Sequence, residues 1–178
     1  MPSGKDRLCV ALHLRGGKSR MPGKEDRFHW ALFIGPRIMM QLSSGIQIHV
    51  KNTVFGQEGT SVLEERESSL IPAGQVLIRV VVAKIQDRER LPGILRTAPV
   101  TQDDSSWNCI SWVREALATV QKDGEAVGTS KLDWQEVRDA AMGYCQEKID
   151  AHRFDGKGQY DMMKTATYDL LERKKIVP

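Results

Sequence analysis

The sequence has 178 residues, of which 40% are hydrophobic and 28% charged, and this composition is typical of a globular protein with a hydrophobic core of its own. Its 26 basic and 23 acidic residues are mixed along the chain and leave a formal charge of only +3. A charge this small and this evenly spread argues against nucleic-acid binding.

The three cysteines, Cys9, Cys109 and Cys145, are widely spaced and form no CxxC pair. This pattern indicates neither a disulfide framework nor a zinc site, and it favours a reducing compartment. The first apolar run, at residues 8–14, is too short and too broken for a signal sequence, and no run approaches the ~18 residues of a membrane span. We therefore expect a cytoplasmic protein with no transmembrane segment, no cofactor and no metal.

Strand patterns dominate the first half of the chain. Apolar runs, alternating or continuous, are bounded there by Gly, Pro and Ser, which is the usual signature of strands and their turns. The near-continuous apolar run at 76–85 indicates a strand in the middle of a sheet. The predicted strands cover residues 8–14, 28–34, 38–42, 46–50 and 76–85, with an edge strand around Val62 and Leu63.

Helical spacing of apolar residues replaces these patterns in the second half. After a loop at 91–104, the apolar positions within 107–120 predict an amphipathic helix. Asp133 and Glu136 have the spacing of a capping box, which predicts the start of a second helix. An apolar stripe predicts a last helix at about 160–174.

Strands followed by helices predict an α+β fold. We expect an antiparallel sheet packed against the helix that carries Cys109, with additional helices towards the C-terminal end. The chain is accordingly divided into an α+β core, residues 1–123, and a helical extension of the same domain, residues 124–178.

Cys109 lies in the first turn of its predicted helix, where the partial positive charge of the helix end favours a thiolate. A nucleophilic cysteine also needs a base, usually a histidine, and a polar group that orients the imidazole ring. His29 and His49 occupy neighbouring predicted strands, and we expect both to face a helix packed across the sheet. Taken alone, however, Cys109 is better explained as a core residue, because free cysteine is among the most buried residue types; the helix start, Asn108 and the two upstream histidines favour a reactive site instead.

Three short motifs resemble the permuted papain-like fold of the lecithin:retinol acyltransferase and NlpC-type families. The motifs are FHWALFIG at 28–35, QIHV at 47–50 and WNC at 107–109. The resemblance covers roughly residues 8–120 and includes the permuted chain order of histidine, histidine and cysteine. The chain also resembles, over more of its length, uncharacterised fungal proteins with the same HWALF and WNC pattern.

This resemblance implies a role for each motif residue. It makes Cys109 the nucleophile, His29 the general base and His49 the residue that orients the base. Gln47, two residues earlier on the same face of the strand, is the alternative orienting group. Phe33 stands where the acyltransferases often have tyrosine, so that position supplies no hydroxyl to the oxyanion.

Trp30 and Trp107 flank the candidate histidine and cysteine, and we expect them to line a substrate pocket together with Asn108. The predicted function is a cysteine-dependent acyl-transfer enzyme, that is, a hydrolase, thioesterase, amidase or acyltransferase with a small-molecule, lipid or peptide acyl substrate. Two alternatives stay open. One is a non-catalytic ligand- or partner-binding module on the same frame, and the other is a small-metabolite cyclase or isomerase that forms no covalent intermediate.

Overall fold

The structure is a computed structural model that describes residues 5–38, 43–53, 60–67 and 75–178. Its strands are β1 Arg7–Leu14, β2 Phe28–Gly35, β3 Ile46–Thr53, β4 Thr60–Glu67, β5 Val76–Ile85, β6 Val127–Ser130, β7 Ala166–Asp169 and β8 Lys174–Val177. Its helices are α1 Arg90–Arg96, α2 Cys109–Asp123 and α3 Trp134–Asp150, and a 3₁₀ turn, Glu25–Arg27, precedes β2.

All the strands belong to one sheet with the order β4-β3-β2-β1-β5-β7-β8, and β6 pairs with β5 beside this path. Neighbouring strands are antiparallel except β5 and β7, which are parallel. The structure thus confirms an α+β fold. It also places β5 in the interior of the sheet and β4 at its edge, as the sequence predicts.

One face of the sheet carries the main hydrophobic core, and the helices cover it. The helices contribute Trp112, Val113, Leu117 and Tyr144, among others, to this core. Alternate residues of the central strands point into it, including Val10, Trp30, Leu32, Ile48 and Val80. The opposite face has only a small apolar cluster, formed by Cys9, Phe33 and Val81. Its other buried side chains are largely polar, and they include His13, Gln47, His49 and Arg79.

The C-terminal segment differs from the prediction. The helix expected at 160–174 is wrong, because this range contains β7 and the first residue of β8 with turns around them, and Met163, placed in the apolar stripe, is 50% exposed. Thr167 and Tyr168 favour strand over helix, and pairing of β7 with β5 satisfies the backbone of an otherwise open edge. Residues 124–178 therefore contribute one helix and three strands to the same sheet and core, so they are not a helical extension.

Two smaller differences concern connections. The predicted loop at 91–104 contains α1, which buries Leu91 and Leu95 in the main core. The predicted strand at 38–42 lies almost wholly outside the described residues. In the part of the chain that is described, no helix combines the length and apolar character needed to cross a membrane.

Candidate active site

The start of α2 is fixed by a capping box around Cys109. The Oδ1 atom of Asn108 accepts hydrogen bonds from the backbone N–H groups of Ile110 and Ser111 at 3.0 and 3.1 Å. In return, the Asn108 backbone N–H donates to Ser111 Oγ at 3.2 Å. These bonds satisfy N–H groups that have no partner within the helix, and they hold Cys109 as its first residue. Asn108 is therefore a helix cap as well as a residue of the predicted pocket.

Cys109 meets the sheet where β2 and β3 separate. The two strands pair only between Leu32–Ile34 and Ile46–Ile48. If the register continued, Trp30 would face Val50, but its backbone N–H instead donates a hydrogen bond to the Cys109 thiol. The first turn of α2 thus occupies the split between the two strands.

A cavity of about 290 Å³ lies in this split, and both Cys109 and His29 line it. Its lining residues are Arg15, His29, Val50, Lys51, Asn52, Asn108 and Cys109. His29 alternates with Trp30 on β2, so it lies on the sheet face opposite the helices, and the prediction that His29 and His49 face a helix is wrong. The separation of the strands is what lets His29 and Cys109 line one cavity.

A chain of hydrogen bonds runs from His29 across three neighbouring strands. His29 Nε2 on β2 lies 2.5 Å from His49 Nδ1 on β3. His49 Nε2 lies 2.7 Å from Glu64 Oε2 on β4, and the two residues are direct cross-strand partners. Lys51 donates to the second oxygen of Glu64 at 2.7 Å. The edge strand thus supplies a carboxylate that the sequence did not connect with the site.

The carboxylate determines where the protons of this chain lie. A carboxylate can only accept hydrogen bonds, so His49 Nε2 carries a proton and donates it to Glu64. His49 Nδ1 must then accept, and His29 Nε2–H is its donor. In neutral His29 the remaining lone pair is therefore on Nδ1. This is the arrangement that a general base needs.

Burial is the main influence on the titratable groups of the site. Burial, together with the charges of His49 and Arg15, lowers the pKa of His29 to about 4. Burial also lowers the pKa of His49, although the hydrogen bond and charge of Glu64 oppose this. The pKa of the Cys109 thiol is raised by burial, which nearby N–H groups and Arg15 offset only in part. At neutral pH the thiol is therefore protonated, in contrast to the thiolate expected from the helix start.

The remaining residues predicted for the site lie in different places. Gln47 lies beside His13 on the polar face and raises its pKa, whereas it is His49 that contacts His29. Trp30 is fully buried and packs against Trp134, and it is not among the described residues that line the cavity. Trp107 lines a second, larger cleft next to the cavity.

Phe33 takes no part in the site. Its ring is fully buried on the polar face, where Arg79 Cζ lies over it at 4.1 Å from the ring centroid. A side-chain donor is available instead from Asn52, which lines the cavity and whose Oδ1 accepts from Ser61 Oγ at 3.0 Å. This bond engages the Oδ1 end of the amide and does not use the Nδ2 donor.

Sequence reasoning missed four residues of the site, namely Arg15, Lys51, Asn52 and Glu64. Arg15 follows β1 directly, and Asn52 lies three residues beyond His49 on β3. Glu64 had a recognisable signal, since it follows the apolar pair Val62 and Leu63 on the predicted edge strand. Its pairing with His49 depends on strand register, which the sequence does not reveal.

Two general features of the side chains bear on the chemistry. Cys9, Cys109 and Cys145 are all unpaired and buried. Among the described residues, no group of three or more His, Cys, Asp or Glu side chains is arranged to hold a metal ion.

The fold and the site define an α+β protein with a cysteine at a helix start, next to a histidine, histidine and glutamate hydrogen-bond chain. The chain belongs to the DUF6914 family, described as a family of unknown function, whose model matches residues 5–177. No curated protein and no solved structure matches it.

Proposed function

We propose that this protein is a cysteine-dependent acyl-transfer enzyme on a permuted papain-like frame, with Cys109 as the nucleophile and His29 as the general base. One observation carries the proposal: Cys109 and His29 line the same small cavity, and the hydrogen-bond chain from Glu64 leaves the free lone pair of His29 on Nδ1. A residue that served only to fill the core would not need a base held in this tautomer.

The first step forms a thioester. The Cys109 sulfur attacks the carbonyl carbon while His29 Nδ1 takes the thiol proton. The carbonyl oxygen becomes an oxyanion, for which the Cys109 backbone N–H at the helix start and Asn52 Nδ2 are the available donors. The bond to the leaving group then breaks, and the leaving group takes the proton from His29.

The second step releases the acyl group. Water, or another acceptor, attacks the thioester and gives a proton to His29, and the thiol is restored when that proton returns to sulfur. Because the resting thiol is protonated, removal of its proton coincides with attack. His29 thus acts as a true general base, and no stable thiolate and imidazolium pair precedes the reaction.

The direct test is acylation by phenyl thioacetate, followed by intact-protein mass spectrometry and peptide mapping. We expect a single acetyl group on Cys109, no adduct in Cys109→Ala, and an unchanged adduct in Cys145→Ala, which removes another buried cysteine. His29→Gln should slow acylation about a hundredfold or more, as loss of a general base does. A protein that stays unmodified would favour the binding module or the cyclase that forms no covalent intermediate.

The pH dependence of alkylation separates this mechanism from a preformed thiolate. Burial raises the pKa of Cys109, so iodoacetamide should react slowly at neutral pH and faster as the pH rises above about 8.5, the usual thiol value. Cys109 should still react before Cys145, whose pKa burial raises to about 12. Rapid labelling of Cys109 near about pH 6 would contradict general-base activation.

A further inference from the structure

A larger cleft of about 610 Å³ adjoins the candidate active site. It shares Arg15, Asn52 and Asn108 with the small cavity, so the two spaces meet at these residues. Half-buried Trp107 and Met21 contribute apolar surface to the cleft. A molecule bound there would extend from the Cys109 thiol past Arg15.

The cleft is positively charged. Arg15, Lys18 and Arg20 line it, and within the described ranges no carboxylate forms an ion pair with any of their side chains. Among the described lining residues the one carboxylate is Asp26, which accepts hydrogen bonds from the Ser19 hydroxyl and from the backbone N–H groups of residues 20 and 21 in its own loop. Three cations thus remain available to a ligand.

Arg15 stands at the junction of the two spaces. It lines the small cavity together with His29 and Cys109, and its charge lowers the pKa of both. An arginine in this position presents several N–H donors to an anion while the anion's neighbouring carbonyl lies at the thiol. The cleft therefore places an anionic group of the substrate close to its reacting carbon.

We propose that the cleft binds an acyl substrate that carries a carboxylate or phosphate a few bonds from the reacting carbonyl, with Arg15 as the principal anion contact. This inference rests on the proposed acyl-transfer function. Lys18 and Arg20 extend the positive field along the cleft, and Trp107 contacts the uncharged part of the substrate. Neutralisation of Arg15 by the anion also removes one of the charges that depress the basicity of His29.

Matched acyl donors test the substrate class. The phenyl thioesters of succinic and butyric acid differ chiefly in the terminal carboxylate, and the wild-type protein should acylate Cys109 faster with the succinyl donor. Arg15→Gln should reduce the ratio of kcat/KM for the succinyl donor to that for the butyryl donor by about tenfold to a hundredfold, as expected for loss of a charge-assisted hydrogen bond. Arg114→Gln, which removes an exposed charge from α2 outside the cleft, should leave the ratio unchanged. No preference for the succinyl donor, or equal loss with both donors, overturns the inference.

A binding measurement separates failure of the subsite from failure of the chemistry. If neither donor acylates Cys109, the proposed acyl transfer fails, and the cleft is then judged by titration of tryptophan fluorescence with succinate and with inorganic phosphate. Saturable binding that weakens about tenfold or more in Arg15→Gln, with the signal lost in Trp107→Phe, supports an anion site. The tighter of the two anions distinguishes a carboxylate from a phosphate substrate. Absence of binding by either anion in wild type overturns the subsite.

Discussion

Glu64 determines the proton positions of the proposed base, His29, through His49, and Lys51 in turn orients the Glu64 carboxylate. Lys51 occupies one carboxylate oxygen, so the other oxygen is directed at His49. The pKa of Glu64 is lowered overall. Burial acts to raise it, but the hydrogen bonds from Lys51 and His49 outweigh that effect. Glu64 therefore stays ionised at neutral pH, and the proton positions of both histidines follow from its charge.

Glu64→Gln should reverse those proton positions. Lys51 can only donate, so the new amide oxygen would face Lys51 and the amide N–H₂ would face His49. His49 Nε2 would then accept, His49 Nδ1–H would donate to His29 Nε2, and the proton of His29 would move to Nδ1. With its lone pair turned away from the thiol, kcat should fall about a hundredfold or more while KM changes little. Acylation kinetics with phenyl thioacetate measure kcat and KM separately.

The control is Glu65→Gln, which changes the neighbouring carboxylate that pairs with Arg96 outside the site. It should leave both kinetic constants unchanged. The ¹⁵N chemical shifts of the imidazole nitrogens provide the second readout, because a purely structural role for Glu64 would not move the proton of His29 between its two nitrogens. Unaltered shifts in Glu64→Gln would contradict the tautomer chain, whatever happens to the rate.

Local signals predicted the secondary-structure elements that carry the motifs. The apolar spacing after Trp107 gave α2, and alternating or continuous apolar runs gave the central strands. Contacts between distant strands lie outside such signals. The pairing of β7 with β5 turned a predicted helix into a strand, and the incomplete pairing of β2 with β3 put His29 beside a cysteine on the other face. Long-range pairing thus decided both the main error in the fold and the geometry of the site.

Loss of the α2 cap should affect both stability and chemistry. Asn108→Ala removes the acceptor for two backbone N–H groups at the helix start, which costs about 1 kcal/mol in the free energy of unfolding. It also frees the first turn that positions Cys109, so acylation should slow. Asn108→Asp keeps the acceptor and should restore most of the stability. Urea denaturation measures the first effect and acylation kinetics the second.

The cap of α3 is the matched control. The side chain of Asp133 accepts from the Glu136 N–H at 3.0 Å, at the start of a helix that carries no residue of the site. Asp133→Ala should cost a similar free energy and leave the acylation rate unchanged. An equal loss of rate in both variants would show that the effect on Cys109 arises from general destabilisation.

On the scale of the whole molecule, the polar face of the sheet carries a row of three histidines, of which His13 and His49 are buried and His29 is half-buried. His13 and His29 are cross-strand partners with ring centroids 5.9 Å apart, and His49 continues the row at 4.8 Å from His29. Burial, together with the charges of His29, Arg79 and His49, lowers the pKa of His13 to about 3, although a hydrogen bond with Gln47 opposes this. The fold therefore holds these histidines uncharged at neutral pH. Their protonation at low pH should destabilise the folded state.

The direction of this pH dependence follows from proton binding. An unfolded histidine titrates near about 6.5, whereas folded His13 and His29 titrate at about 3 and 4, so below about pH 6.5 the unfolded chain binds more protons. The free energy of unfolding is thus fully retained above that pH and falls as the pH drops towards 4. In urea denaturation between about pH 6 and pH 5, His13→Gln should reduce the dependence of the free energy of unfolding on pH by about 1 kcal/mol per pH unit. Parallel slopes for wild type and His13→Gln would mean that His13 takes up its proton without unfolding, and that the polar face is open to water.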